Sequence, residues 1–125
     1  MAALSRTLLE RTAEILNDDP FVKENTKRCK ATLYLACENN KFALAFDNGK
    51  VRLLADGESG ADPVVSISGN KENWNKIISG LPGGLHRAFR HKLLRFEGDA
   101  TTMLTIWKTI WRLGEALANE NKEGR

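Results

Sequence analysis

Two cysteines and two histidines are all that this chain of 125 residues offers in thiol and imidazole chemistry. Cys29 and Cys37 are too few for a disulfide framework, and their spacing is not that of a zinc site. They lie in or beside a strand-like stretch, an even number of residues apart, and read as two small reduced thiols able to share one face. No metal and no other cofactor is expected. Long apolar runs are missing as well. Nothing approaches membrane-spanning length, and the opening MAALSRTLLERTAEIL carries arginines and glutamates where a secretory signal would be apolar. A cytoplasmic protein is the expectation. An excess of one charge is also absent. Nineteen Lys and Arg against 16 Asp and Glu leave a net +3, scattered except for one cluster, so no nucleic-acid partner is expected. No Gly-rich phosphate loop, nucleophile elbow or His-Glu metal motif occurs.

What is present is a succession of short amphipathic elements. A chain of this length makes one domain, read as 1–125 with a core over about 5–117 and a polar tail at 118–125, and it buries roughly two-thirds of its extended surface. Leu4, Leu8, Leu9, Thr12, Ile15 and Leu16 follow helical spacing and predict a helix over 5–17. Pro20 ends it, because the residue before a proline disfavours helical geometry. Alternation then predicts strands over 30–37, 42–46 and 51–55. Asp47-Asn48-Gly49 supplies the strongest hairpin signal, since Asn-Gly readily takes positive φ. These three form an antiparallel meander with one apolar face. A loop over 55–63 leads to a fourth strand at 64–68. Asn70 caps a helix whose Trp74, Ile77, Ile78 and Leu81 make a single stripe.

After the break at Pro82-Gly83-Gly84, a short basic helix over 85–91, with Leu85, Ala88 and Phe89 inward, leads into a fifth strand at 93–97. Asp99 is placed to cap the last helix, at roughly 100–118. That helix carries Met103, Ile106, Trp107, Ile110, Trp111, Gly114 and Leu117, with Leu104 and Leu113 widening the stripe. One sheet face does not require so much apolar surface. The excess must meet other helices, a partner chain or a ligand.

The order Ile67-Ser68-Gly69-Asn70, Glu72-Asn73-Trp74, Lys92-Leu-Leu-Arg-Phe-Glu-Gly98-Asp99 and an amphipathic last helix resembles the sterol carrier protein 2 domain family. The hairpin Phe46-Asp47-Asn48-Gly49-Lys50-Val51 looks like that family's second and third strands, and the resemblance spans roughly 5–117. His91 departs from it, standing where family members usually have glycine. The resemblance implies an α+β fold: a five-stranded, mostly antiparallel sheet covered by helices, with an apolar tunnel beside the C-terminal helix. It implies non-covalent binding and transfer of a hydrophobic ligand, a sterol, fatty acid or fatty acyl-CoA.

Ligand-facing candidates on this reading are Trp74, Ile78, Phe89, Met103, Ile106, Trp107, Ile110 and Trp111, each of which could equally be plain core. Arg87, Arg90 and Lys92, within the one basic cluster, could hold an anionic group or face an anionic membrane surface. The alternatives are a small enzyme using His86, His91, Glu97 and Asp99 on a steroid-like or aromatic substrate, and an accessory subunit docking on a partner protein through its last helix.

Overall fold

The computed structural model describes residues 4–123, so the extreme ends of the expected 1–125 domain lie outside the described residues. Helix α1 (Arg6–Asp18) starts at Ser5, whose hydroxyl accepts the Leu8 N–H at 3.2 Å. Leu9, Thr12, Ala13 and Leu16 form its buried stripe. Pro20 does end it, but Pro20 also begins a helix that sequence reading does not foresee, α2 (Pro20–Thr26). The missing N–H of proline costs nothing at a first helical position, and the Asp19 carboxylate accepts the Phe21 N–H at 2.9 Å.

Five strands follow as expected: β1 (Lys30–Cys37), β2 (Asn40–Asp47), β3 (Lys50–Leu53), β4 (Val64–Gly69) and β5 (Arg95–Gly98). Their order in the sheet is β3-β2-β1-β4-β5. All neighbours are antiparallel except β1 and β4, which run parallel. Asn48 and Gly49, at φ 48° and 91°, make the tight β2–β3 turn. One sheet face is continuous: Phe42, Leu44 and Phe46 lie opposite Leu35, Leu33 and Ala31. Val65 and Ile67 flank Leu33 and Leu35 on the other side, and Phe96 of β5 lies opposite Ile67. Behind β1, the Thr32 hydroxyl donates to the Ala61 carbonyl at 2.8 Å, and Thr32 is fully buried beneath the 54–63 loop.

The helical layer consists of α1, α2, α3 (Lys71–Ile78), α4 (Gly84–Arg90), α5 (Ala100–Thr105) and α6 (Trp107–Glu123). The last helix is thus two segments rather than one. The break is at Ile106, at φ −96° and ψ 5°. Thr101, Thr102, Thr105 and Ile106 are β-branched and weaken the helix there. The axis carries on, because Ile106 N–H reaches Thr102 O and Ile110 N–H reaches Ile106 O, at 3.0 and 2.9 Å. Beyond 118 the expected tail is helical through Glu123, and Glu120 meets Arg11 of α1 at 3.6 Å. No breaker residue stands between Gly114 and Gly124 to stop it. The fifth strand begins two residues later than expected, since Leu93 N–H still closes α4 by donating to Ala88 O at 2.9 Å. Both cysteines are free and buried, and burial raises both thiol pKa values.

Candidate binding groove

The α6 stripe packs on α1, α2, α3 and α4, with Ile110, Leu113 and Leu117 fully buried, as is Ile106 at the break before it. Much of the apolar excess of the last helix therefore meets other helices. Trp74 and Ile78 of α3 are fully buried too, and the Trp74 indole N–H donates to the Ala36 carbonyl at 2.8 Å. Side chains of these residues fill the space between sheet and helices. The expected apolar tunnel is not displayed among the described residues.

An open groove lies instead at the β5 edge, between the start of α3 and the end of α4. Its volume is about 720 Å³. Asn70 and Asn73 line one side, Phe89 and Phe96 form an apolar wall, and Arg90, Lys92 and Arg95 stand on the rim. The wall is built by strand alternation and helix termination together. Phe96 follows Leu94 by two residues, so it emerges on the inner face of an edge strand that has no further neighbour. Phe89 comes from the last turn of α4 and meets Phe96 edge-on, ring centres 5.2 Å apart. Trp107, at the first position of α6, lies 5.1 Å from Phe89 and 6.0 Å from Phe96. Three aromatic rings in mutual edge contact make a rigid, polarisable surface. Asn73 fixes the floor by donating from its side-chain amide to the Leu93 carbonyl at 2.8 Å.

Of the expected ligand-facing residues, then, Phe89 and Trp107 belong to the aromatic cluster, and Met103 packs half-buried against the core. Trp74, Ile78, Ile106 and Ile110 are core, and Trp111 lies beyond His86, outside the groove. Phe89 differs from expectation in another way. Leu85 and Ala88 are buried, but Phe89 is 49% exposed because α4 ends at the domain edge. Phe96 is a groove residue that sequence reading passes over, although the Leu94–Phe96 alternation carried the signal.

Among the anionic-group candidates, Arg90 and Lys92 line the groove. Arg87 turns back along α4 and donates to the Pro82 carbonyl at 3.4 Å. The acid–base candidates do not converge. Asp99 caps α5, accepting from the Thr102 hydroxyl at 2.7 Å and the Thr102 N–H at 2.9 Å, and these bonds hold its carboxyl below the usual range. Glu97 pairs with Arg95 at 3.0 Å. His91 is exposed at the C-terminus of α4. Only His86 joins the aromatic cluster, its ring centre 4.4 Å from that of Trp107 and 5.1 Å from that of Trp111. Burial lowers the His86 pKa, against a smaller upward pull from the Trp107 backbone.

The class this defines is an α+β domain in which a mixed five-stranded sheet carries a helical layer and an amphipathic groove opens at its edge strand. The model of the SCP-2 sterol transfer family matches residues 12–109, and the chain belongs to that family. A search of curated proteins finds no match. Among solved structures, the chain is similar to a conserved hypothetical protein of Thermus thermophilus described as a possible sterol carrier protein. The TM-score is 0.72 at 17% identity, covering 96% of this chain and 90% of that one. A crystal structure of sterol carrier protein 2 gives 0.71 at 17% identity, covering 91% and 95%. A ubiquinone synthesis protein, UbiJ-SCP2, gives 0.56 at 18% identity, covering 83% and 90%. At these identities the likeness is one of fold.

Proposed function

We propose that this domain binds and transfers a hydrophobic ligand of the sterol, fatty acid or fatty acyl-CoA class. The apolar part lies against Phe89, Phe96 and Trp107, and the polar end meets Arg90, Lys92 and Arg95. The observation that carries this reading is the meeting of an aromatic wall and a cationic rim in one groove of about 720 Å³. Family membership supports the same class of ligand.

Energetics sharpen the choice among ligands. Full enclosure of a chain of ~14 carbons releases on the order of 10 kcal/mol, at about 0.8 kcal/mol per CH₂. A groove open on one side recovers roughly half of that, and association costs consume much of the remainder. Charge-assisted hydrogen bonds, worth about 1.5–3 kcal/mol each, then decide whether binding is measurable. An anionic amphiphile is favoured over a neutral one of equal length.

Native mass spectrometry of the purified protein, with organic extraction of what comes off, identifies any ligand carried through purification. Displacement of a fluorescent fatty-acid probe then ranks competitors. A fatty acid should displace it at least tenfold more effectively than its methyl ester, and Arg90→Gln with Lys92→Gln should erase that preference. Probe affinity unchanged in Phe96→Ala and in Trp107→Ala would exclude this groove as the binding site.

A further inference from the structure

The sheet treats its two edges differently. At the β3 edge, the Asn17 side chain takes both main-chain groups that Val51 turns outward. It donates to the Val51 carbonyl at 2.6 Å and accepts the Val51 N–H at 2.7 Å. Arg6 donates to the Leu54 carbonyl at 2.9 Å, just past the end of that strand. The β3 edge is thereby closed to a further strand, as natural sheets guard against stray pairing. Among the described residues, β5 pairs with β4 alone, and no comparable side-chain plug stands at its outer edge.

Main-chain geometry identifies the groups left free there. Residues of an antiparallel strand turn their N–H and C=O to one neighbour and the other in alternation. Asp99 N–H reaches Val64 O at 3.3 Å, so Glu97 and Arg95, at even spacing from Asp99, also face β4. Phe96 and Gly98 therefore present their N–H and C=O to the open side. Phe96 is also the midpoint of a charge pattern, with Lys92 and Arg95 before it and Glu97 and Asp99 after it. Turned end for end, an identical strand sets its acidic half against this basic half. Arg95 and Glu97, 3.0 Å apart, are both well exposed for that purpose.

We propose that β5 is a self-pairing edge, through which two copies of this chain join antiparallel about a two-fold axis at Phe96. The Phe96 N–H of each copy donates to the Phe96 carbonyl of the other, as a hydrogen-bonded pair. Arg95 then stands directly opposite the partner's Glu97, at the closer, non-hydrogen-bonded position, and Glu97 opposite the partner's Arg95. Opposite charges facing across a ladder stabilise it, and like charges destabilise it. On the inner face the two Phe96 rings come side by side, so each copy adds a ring to the wall of the other's groove. The contact is isologous and closes on itself, so assembly stops at the dimer. With only four residues in each strand, it belongs to the small, transient class. The pairing goes beyond ligand binding and does not rest on it, since it uses the main chain and outer face of β5.

Sedimentation velocity of the full chain at low salt, up to about 200 µM where a contact of this class is populated, is the test. A monomer–dimer equilibrium is expected. Arg95→Glu alone and Glu97→Arg alone should each weaken it about tenfold, because each sets like charges opposite one another. Mixed in equal amounts, the two variants should dimerise with each other as the parent chain does with itself. The double exchange Arg95→Glu with Glu97→Arg should likewise pair again with its own kind. A folding defect in β5 predicts neither rescue. Amide exchange gives a second reading: Phe96 N–H should slow about threefold on passing from dilute to concentrated protein, and Glu97 N–H, already turned to β4, should change less. A chain that stays monomeric throughout overturns the proposal and leaves the edge to a strand of another protein. A dimer indifferent to both single variants overturns it too, as does one that neither the mixture nor the double exchange restores. All of these are read without the fatty-acid probe, so a failed groove reading leaves them standing.

Discussion

Replacing Gly98 by alanine should cost about 3 kcal/mol, a figure set by its backbone angle and its surroundings. Gly98 sits at φ 122°, and a Cβ there would run into the Val64 carbonyl oxygen and the Val65 Cα. Those are backbone atoms of β4, to which Gly98 is paired at Val65. They cannot swing aside as a side-chain tip can. A left-handed backbone angle costs an L-residue about 1–2 kcal/mol, and forced overpacking adds about 1–3. Loss of chain freedom in the unfolded state returns about 0.4–1. Gly57 serves as control, since it has φ 81° but nothing within 4 Å of the added methyl. Its alanine variant bears only the backbone cost, less the same return, so about 1 kcal/mol or below. Urea unfolding followed by circular dichroism reads the difference. At an m-value near 2 kcal/mol/M, Gly98→Ala lowers the midpoint by roughly 1.5 M and Gly57→Ala by at most about 0.5 M. Equal midpoints for the two variants would refute the reasoning, and with it the claim that β5 is clamped against β4 at its last residue.

Trp74→Phe removes the indole donor to Ala36 and should cost about 1–2 kcal/mol in the same unfolding assay, with probe affinity retained. Asn17→Ala should cost roughly 1–3 kcal/mol, because its side-chain amide donates to Val51 O at 2.6 Å and accepts from Val51 N–H at 2.7 Å, tying α1 to β3. Stability should also fall with pH through His86. The fold favours its neutral form, so its pKa is lowered, mainly by burial. Below about pH 6.5 the unfolded chain takes up a proton that the folded chain still refuses, and stability drops until the folded pKa is passed. His86→Gln should remove that part of the pH dependence, and NMR titration should place the imidazole below about 6.5.

Sequence periodicity yields the hairpin, the inner sheet face and the α3 stripe because each depends on neighbours a few positions away. Asn48-Gly49 is the clearest instance: two residues able to take positive φ, found at 48° and 91°. The parallel β1–β4 pairing is of another kind. It is set by where the 54–63 loop carries the chain, with Thr32 bonded to Ala61, and no local pattern records it. Pro20 was legible as a terminator but not as an initiator, since the two roles differ only in whether the next residues go on to wind into a helix. The groove was half legible. Arg90, Lys92, Phe89 and Trp107 stand out by type, yet Phe96 draws no notice until β5 proves to be an edge strand. The distinction between buried Trp74 and exposed Trp111 was not legible at all. Both sit on apolar stripes of similar spacing, and only the position of each helix in the layer separates them.

The apolar residues of the last helix fall on two sides, one buried and one exposed, which is why its composition exceeds what packing alone needs. Ile106, Ile110, Leu113 and Leu117 recur at 4, 3 and 4 residues and close the helical layer against α1 to α4. Leu104 and Trp111 lie on the opposite flank, with the cation Lys108 between them. Trp107 stands where the two flanks meet, half-buried, one edge toward Phe89 and the other toward His86. A helix built only to pack would have a polar outer side, and exposed Leu104 and Trp111 depart from that. The break at Ile106 falls at this junction, between the α5 segment that carries Leu104 and the α6 segment that begins at Trp107.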